Sequence, residues 1–438
     1  MKKITFLLAC GLLLAGFGIR STNAQVATAN VGPVDTTYTP GGYVWGQFFG
    51  DYSYKVHGDS LGNFGSPNNG RGNSEYSTYP KNFANEQLRR VYLGYTYNIS
   101  RDFTTQWLAA YEEGSGNGAG NTTLTAAGER SFYMKYANIQ WKNIFPNATA
   151  IFGAQATPAF VPTSETQWGY RSIEKTITDK YGIEKSSDVG LGLFGAFDNA
   201  RTYGYDILYA DGFGQKLPSI FSNGFEQGRY KKVYADLWAW FFDKKIFIQL
   251  YGDDYRLSGE LTPHDANMYK LYVAYNTVPL TVGFEGFMYN IKNGIVDTLL
   301  STKLPETHDV KTIGLSFFAT AQIIPNSLNV FARFDMFNPN GDLNFDPTQV
   351  HYASAAATPI QFLTGNGTNA YGAMLSTKEN FIVAGLDYTP YKNVHIMPNI
   401  WYNSYASQPV GNYSKLQGSA ALASDNEIVA RLTMYYRF

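Results

Sequence analysis

The chain has 438 residues, a net charge of −1 and only 16% charged side chains, well under the ~25% usual in soluble domains. Aromatic residues make up 16%, with 34 Tyr and 30 Phe, and glycine reaches 43. Near-neutral charge gives no footprint for nucleic acid, and Cys10, the single cysteine, leaves a mature chain no disulfide framework and no thiolate metal site.

The N-terminus reads "MKKITFLLACGLLLAGFGIRSTNAQ". Lys2 and Lys3, an apolar stretch and the small-residue run Thr22-Asn23-Ala24 predict a secretory signal peptide over 1–24. The apolar stretch falls short of the ~20 residues a spanning helix needs. Lipoprotein cleavage at Cys10 would leave "GLLLAGFGI" at the mature end, which argues against it. The exported domain is then 25–438. It has no apolar 18-mer, so two classes fit: a secreted β protein, or an outer-membrane barrel built from ~10-residue alternating segments.

Alternating or aromatic-rich segments predict strands near 43–56, 86–99, 102–113, 129–142, 148–157, 186–197, 201–212 and 229–242. The second half adds 244–257, 267–278, 280–291, 309–322, 327–338, 376–389, 393–404 and 425–438. Short links at "NISRD", "KNIFPNA", "DNAR", "DKK", "TVPL", "IPNS" and "TPYKN" carry turn residues. Between them fall long stretches, 57–85, 114–128, 158–185, 213–228 and 338–375. Such regular alternation has no purpose in a soluble sandwich, whereas membrane barrels pair short periplasmic turns with long outer loops.

The faces agree with that choice. In the terminal "EIVARLTMYYRF", Ile428, Ala430, Leu432, Met434, Tyr436 and Phe438 share one face, with Glu427, Arg431, Thr433 and Arg437 on the other. The same inspection gives inward candidates Arg90, Lys232, Asp236, Lys270, Glu285, Arg333, Asp335 and Arg431, with Asp206 also in the mixed set. Unpaired charges on one face would be costly in a dry core, and a water-filled interior removes that cost. The expected fold is an all-β, transmembrane, antiparallel up-and-down barrel of about sixteen strands. Segments 43–56 and 129–142 alternate poorly, so their faces are left open.

The stretch "IFGAQATPAFVPTSETQWGYRSIEKTITDKYGIEKSSDVGLGLFGAF" resembles the outer-membrane porins, most of all the broad family of phosphate-selective porins O and P. "LDYTPYKNVHIMPNIWYN" and the terminal aromatic add to the likeness. The resemblance implies a water-filled channel for passive diffusion of small hydrophilic solutes and ions in the outer membrane of a Gram-negative bacterium. It implies a homotrimer in lipid; no cofactor and no enzymatic role are expected. It also implies that the loop at 158–185 folds into the channel, with Glu165, Arg171, Glu174 and Lys175 as constriction candidates. A short helix is expected there, with Ser164 as N-cap and Gly182 as stop. Phosphate selectivity does not carry over, because the inward charges are of both signs, and rings of one sign make ion-selective pores.

Alternatives remain. One is a substrate-specific channel for an anion such as phosphate or for an oligosaccharide, with Trp168, Trp238, Trp240 and Trp401 as a stacking track. The other is a non-channel barrel displaying surface loops. No GxSxG elbow appears, and no histidine pair has metal-ligand spacing. Asp342, Asn344 and Asp346 fail the EF-hand pattern, although their oxygens suit calcium in an exposed loop. No metal is expected.

Overall fold

The structure, a computed structural model, describes residues 38–58, 76, 79, 81–112, 131–214, 230–258, 264–298, 305–338, 361–362, 377–407 and 425–438. The expected signal peptide and the Asp342–Asn344–Asp346 turn lie outside the described residues.

Sixteen strands form the wall. They are β1 (Gly41–His57), β2 (Ala84–Asn98), β3 (Phe103–Glu112), β4 (Tyr133–Phe145), β5 (Ala148–Ala156), β6 (Ser187–Ala196), β7 (Tyr203–Ala210) and β8 (Lys232–Phe241). The second half supplies β9 (Ile246–Ser258), β10 (His264–Asn276), β11 (Leu280–Thr298), β12 (Pro305–Ile324), β13 (Leu328–Asn338), β14 (Thr377–Tyr391), β15 (Val394–Ser407) and β16 (Asp425–Arg437). Each pairs antiparallel with its sequence neighbours, and β1 pairs with both β2 and β16, which closes the sheet. A two-residue strand, Gln361–Phe362, adds to the upper part of β11 at Ile295 and Val296. The expected all-β antiparallel barrel of about sixteen strands is the observed one. Closure leaves no edge, so the ladder satisfies the backbone all round.

Strands β11 and β12 run past their expected limits. The alternation fades in "NIKNGIVDT", yet pairing resumes beyond an irregularity between Ile291 and Ile295. The short links obey the turn chemistry. Asn147, Asn326 and Asn393 take left-handed φ of 61°, 59° and 65°, a conformation asparagine tolerates.

The two faces invert the arrangement of a soluble domain. Phe152, Leu250 and Ile400 on the outside are 67%, 58% and 57% exposed, while Asp335 and Arg431 inside are 0% and 4% exposed. Along β13, Ala332 and Met336 are exposed while Phe331, Arg333, Asp335 and Phe337 are buried. An apolar outer belt of this extent suits hydrocarbon, not water.

The interior is partly filled. Residues 157–186, between β5 and β6, fold inside the wall. Two apolar clusters form there, one around Phe160, Ile177 and Tyr181 with β7–β13, the other around Trp168 and Ile173 with β9–β16.

Candidate functional site

The 157–186 loop is built from short turns. A π-helical turn (Val161–Glu165) leads into α1 (Thr166–Trp168), which stops at Gly169 in the left-handed conformation (φ 71°), and α2 (Ile177–Lys180) follows. A single helix from Ser164 to Gly182 is therefore not what forms. Ser164 lies inside the π turn and caps nothing, and Thr176 occupies the N-cap position of α2. Gly169, free of a Cβ penalty at positive φ, divides the segment.

The loop is fastened to the far wall. Gln249 on β9 accepts from the Thr163 hydroxyl at 2.9 Å and donates to the Pro158 carbonyl at 3.1 Å. Lys270 on β10 donates to the Ala159 carbonyl, and Asn276 to Gln167 Oε1 at 2.7 Å. On β11, Glu285 accepts from Thr178 Oγ1 at 2.7 Å. Arg333 on β13 donates to the Lys175 carbonyl, and Asp387 on β14 accepts from the Tyr170 hydroxyl at 3.1 Å. Arg431 on β16 and Arg89 on β2 both donate to the Ile173 carbonyl, at 3.0 and 3.1 Å. Aromatic faces complete the fit, with Tyr181 stacked on Phe337 at 3.8 Å and Trp168 edge-on to Phe318 at 5.3 Å.

The wall from β2 to β4 is basic, and two irregularities in strand register make it so. Between the pairs Phe49–Arg90 and Asp51–Gln87, β2 carries one residue more than β1, and Arg89 and Arg90 are both buried, at 4% and 3% exposure. Between the pairs Leu108–Tyr136 and Ala109–Met134, β4 gains a residue, and Lys135 is 3% exposed. A bulge re-aims side chains in this way. Arg90 then pairs with Glu112 at 2.7 Å, and Lys135 contacts the same carboxylate. Arg89 pairs with Asp51 at 3.3 Å.

Each expected site residue has a definite place. Glu165 and Arg171 meet in an ion pair, and Arg171 also holds Asp179 at 2.9 Å. Burial is the largest influence on the Asp179 carboxyl and raises it, but Arg171, Lys175 and, on the basic wall, Arg90 and Lys135 together outweigh it and keep the group below its usual range. Lys175 is half-buried beside them. Glu174 is 2% exposed; its carboxylate accepts from the Lys175 N–H at 2.8 Å, and its backbone carbonyl accepts from the Trp168 indole at 2.9 Å. Arg90, Lys232, Asp236, Lys270, Glu285, Arg333, Asp335 and Arg431 are all buried. Of these, Lys270, Glu285, Arg333 and Arg431 hold the loop, Arg90 belongs to the basic wall, Lys232 contacts Glu184, and Asp236 accepts from the Asp206 N–H at 3.0 Å. Arg89, Lys135, Glu112 and Asp179 were not singled out from sequence. The adjacent "RR" of Arg89-Arg90 was the available signal.

No family model and no curated protein matches the chain. Among solved structures it is similar to the anion-selective porin from Comamonas acidovorans, at 10% identity and TM-score 0.53, covering 91% of this chain and 100% of that one. The outer membrane channel DcaP of Acinetobacter baumannii aligns at 10% identity and TM-score 0.54 over 93% and 99% of the two chains. Salmonella typhi OmpF, in complex with daunomycin, aligns at 15% and 0.52 over 91% and 97%. At these identities the likeness is one of fold, and this chain shares with those porin structures a closed, all-antiparallel β-barrel.

Proposed function

We propose that this chain is an outer-membrane channel of porin type, exported by its N-terminal signal peptide, through which small hydrophilic solutes and ions diffuse passively. The observation that carries this reading is the asymmetric interior. One side is packed by the 157–186 loop, and the other keeps a basic wall (Arg90, Lys135) facing the Glu165–Arg171–Asp179 group of the loop. Opposed fixed charges across a narrow passage sort solutes by size and by dipole more than by net charge. Glu165, Arg171 and Lys175 belong to that narrow section. Glu174, whose carboxylate accepts from the Lys175 N–H at 2.8 Å, is not assigned to it.

A phosphate-specific channel has less support, since Arg90 and Lys135 share the Glu112 carboxylate and leave a single positive charge in excess. An oligosaccharide track has less still: Trp168 and Trp401 are 1% and 0% exposed, and the half-buried Trp238 and Trp240 pack against the same interior cluster. A homotrimer is the assembly that the porin resemblance suggests.

Planar-bilayer recording tests the reading, using the full chain and a variant lacking residues 164–182. The expected result is discrete steps for the first and larger, less selective steps for the second. A purified barrel that gives neither conductance nor liposome swelling would instead be a non-channel, loop-displaying protein.

A further inference from the structure

The outer face carries a groove of about 730 Å³ over β7 to β12. Its axis follows a cross-strand row, Tyr205–Leu237–Leu250–Leu271–Gly286–Leu315, each member directly opposite the next. The adjacent row sinks where Ala235 faces Gly252, so small residues form the floor and leucines the side. Six strands at ~4.8 Å spacing make the row ~24 Å long.

The groove also climbs. Tyr205 stands two residues from the lower end of β7, and Leu315 nine residues from the lower end of β12. At ~3.3 Å per residue on tilted strands the rise is roughly 15–20 Å, close to one leaflet of a ~30 Å hydrocarbon core. Its low end is at Phe197 and Tyr205, beside the turns 197–202 and 242–245. Lys244 Nζ ties these turns together by donating to the Ala200 carbonyl at 2.7 Å. Arg201, Lys244 and Lys245 are all exposed there, against Asp198 and Asp243. Asp198 is occupied as acceptor of the Thr202 and Tyr203 N–H groups, at 2.7 and 3.4 Å.

We propose that this groove is a seat for one anionic phospholipid of the leaflet on the short-turn side, its acyl chain along the leucine row and its phosphate at Arg201, Lys244 and Lys245. Moving a chain from bulk hydrocarbon into an apolar groove gains no transfer energy, so packing and the headgroup must supply the preference. The basic turns at the low end supply it. The inference rests on the membrane reading but not on the channel being open.

The test is native mass spectrometry of the full-length barrel released from vesicles of equal phosphatidylglycerol and phosphatidylethanolamine. The expected result is one retained phosphatidylglycerol, favoured at least about fivefold. A variant with Arg201→Asn, Lys244→Asn and Lys245→Gln should lose the headgroup preference, asparagine being at ease at the positive φ of positions 201 and 244. Ala235→Trp, which fills the floor, should lower retention of both lipids while conductance stays unchanged. Equal retention of the two lipids by the unmodified chain, or no response to either variant, would overturn the proposal. So would efficient disulfide cross-linking of a Leu250→Cys variant to a second copy, which would make this face a protein interface.

Discussion

Lys180, at the end of α2, reaches Glu379 on β14 with Nζ 2.8 Å from Oε1, and both side chains are 2% exposed. The same ammonium lies 3.7 Å from the centre of the Phe381 ring and donates to the Tyr181 hydroxyl at 3.1 Å. This contact joins the two sides of the barrel. It ties a loop that begins and ends at β5 and β6 to a strand far round the wall, without involving the ladder that holds the wall together.

Breaking that tie should free the loop and spare the barrel. Removing one partner of a buried pair leaves an uncompensated charge, at a cost of ~3–5 kcal/mol in a dry site and less in a hydrated one. Lys180→Met is therefore expected to increase open-channel noise and mean conductance, with an unchanged strand signal in circular dichroism. Lys180→Met combined with Glu379→Gln should recover much of the quiet state. A single variant as quiet as the unmodified chain would show that the tie does not hold the loop.

Much of the wall was legible because one rule governs it. Along β13 every second residue from Phe331 to Phe337 is buried, as period two requires. The rule fails where the interior is not water. Phe331, Phe381, Val383 and Trp401 face inward because Trp168, Tyr170 and Ile173 of the loop pack on them, so β14 and β15 carry apolar side chains on both faces, beside the inward Glu379 and Asp387. It fails again at the bulges. Each shifts the parity within one strand, which hid the inward direction of Arg89 and Lys135 and left the facing of the 129–142 segment unassigned. Charge in the loop identified a polar segment but not a direction, so sequence did not separate Glu165, which pairs with Arg171, from Glu174, which accepts from the Lys175 N–H.

The basic wall makes a prediction of sign. Replacing Arg90 or Lys135 by alanine leaves Glu112 with one cation instead of two. Reversal potentials across a salt gradient should shift toward cation preference for either variant, and further for the pair. Shifts toward anions, or none, would mean that this wall does not line the passage. The effect should shrink at high ionic strength, where the Debye length falls to ~3 Å.

Arg171 sets the pH range over which the loop keeps its charge. Its guanidinium is the main influence holding the Asp179 carboxyl below the usual range against burial. A carboxylate with a depressed pKa stays ionised as pH falls, and its favourable pairing is lost only when pH drops through the folded-state value. The Asp179 contribution to ion selectivity of the unmodified channel should thus stay flat on acidification to about the ordinary aspartate value of ~3.9. In Arg171→Gln, Asp179 protonates at higher pH, so the selectivity change should begin earlier. Coincident pH profiles for the two proteins would break the link between this pair and conduction.

Gly153 predicts where the wall itself is least forgiving. It sits in β5 opposite Asn138 and Gly190, with φ of 118°, and a Cβ there would lie 2.2 Å from the Ala137 carbonyl oxygen. Backbone in such a region costs a side-chain-bearing residue ~1–3 kcal/mol, and here the clash is with backbone that cannot turn aside. Gly153→Val should lower the urea midpoint of the barrel in lipid vesicles and reduce the folded yield. Gly41→Ala, at a position with nothing within 4 Å of the new carbon, should do neither. Equal stability of the two variants would mean that β5 can relax its backbone without loosening its pairing to β4 and β6.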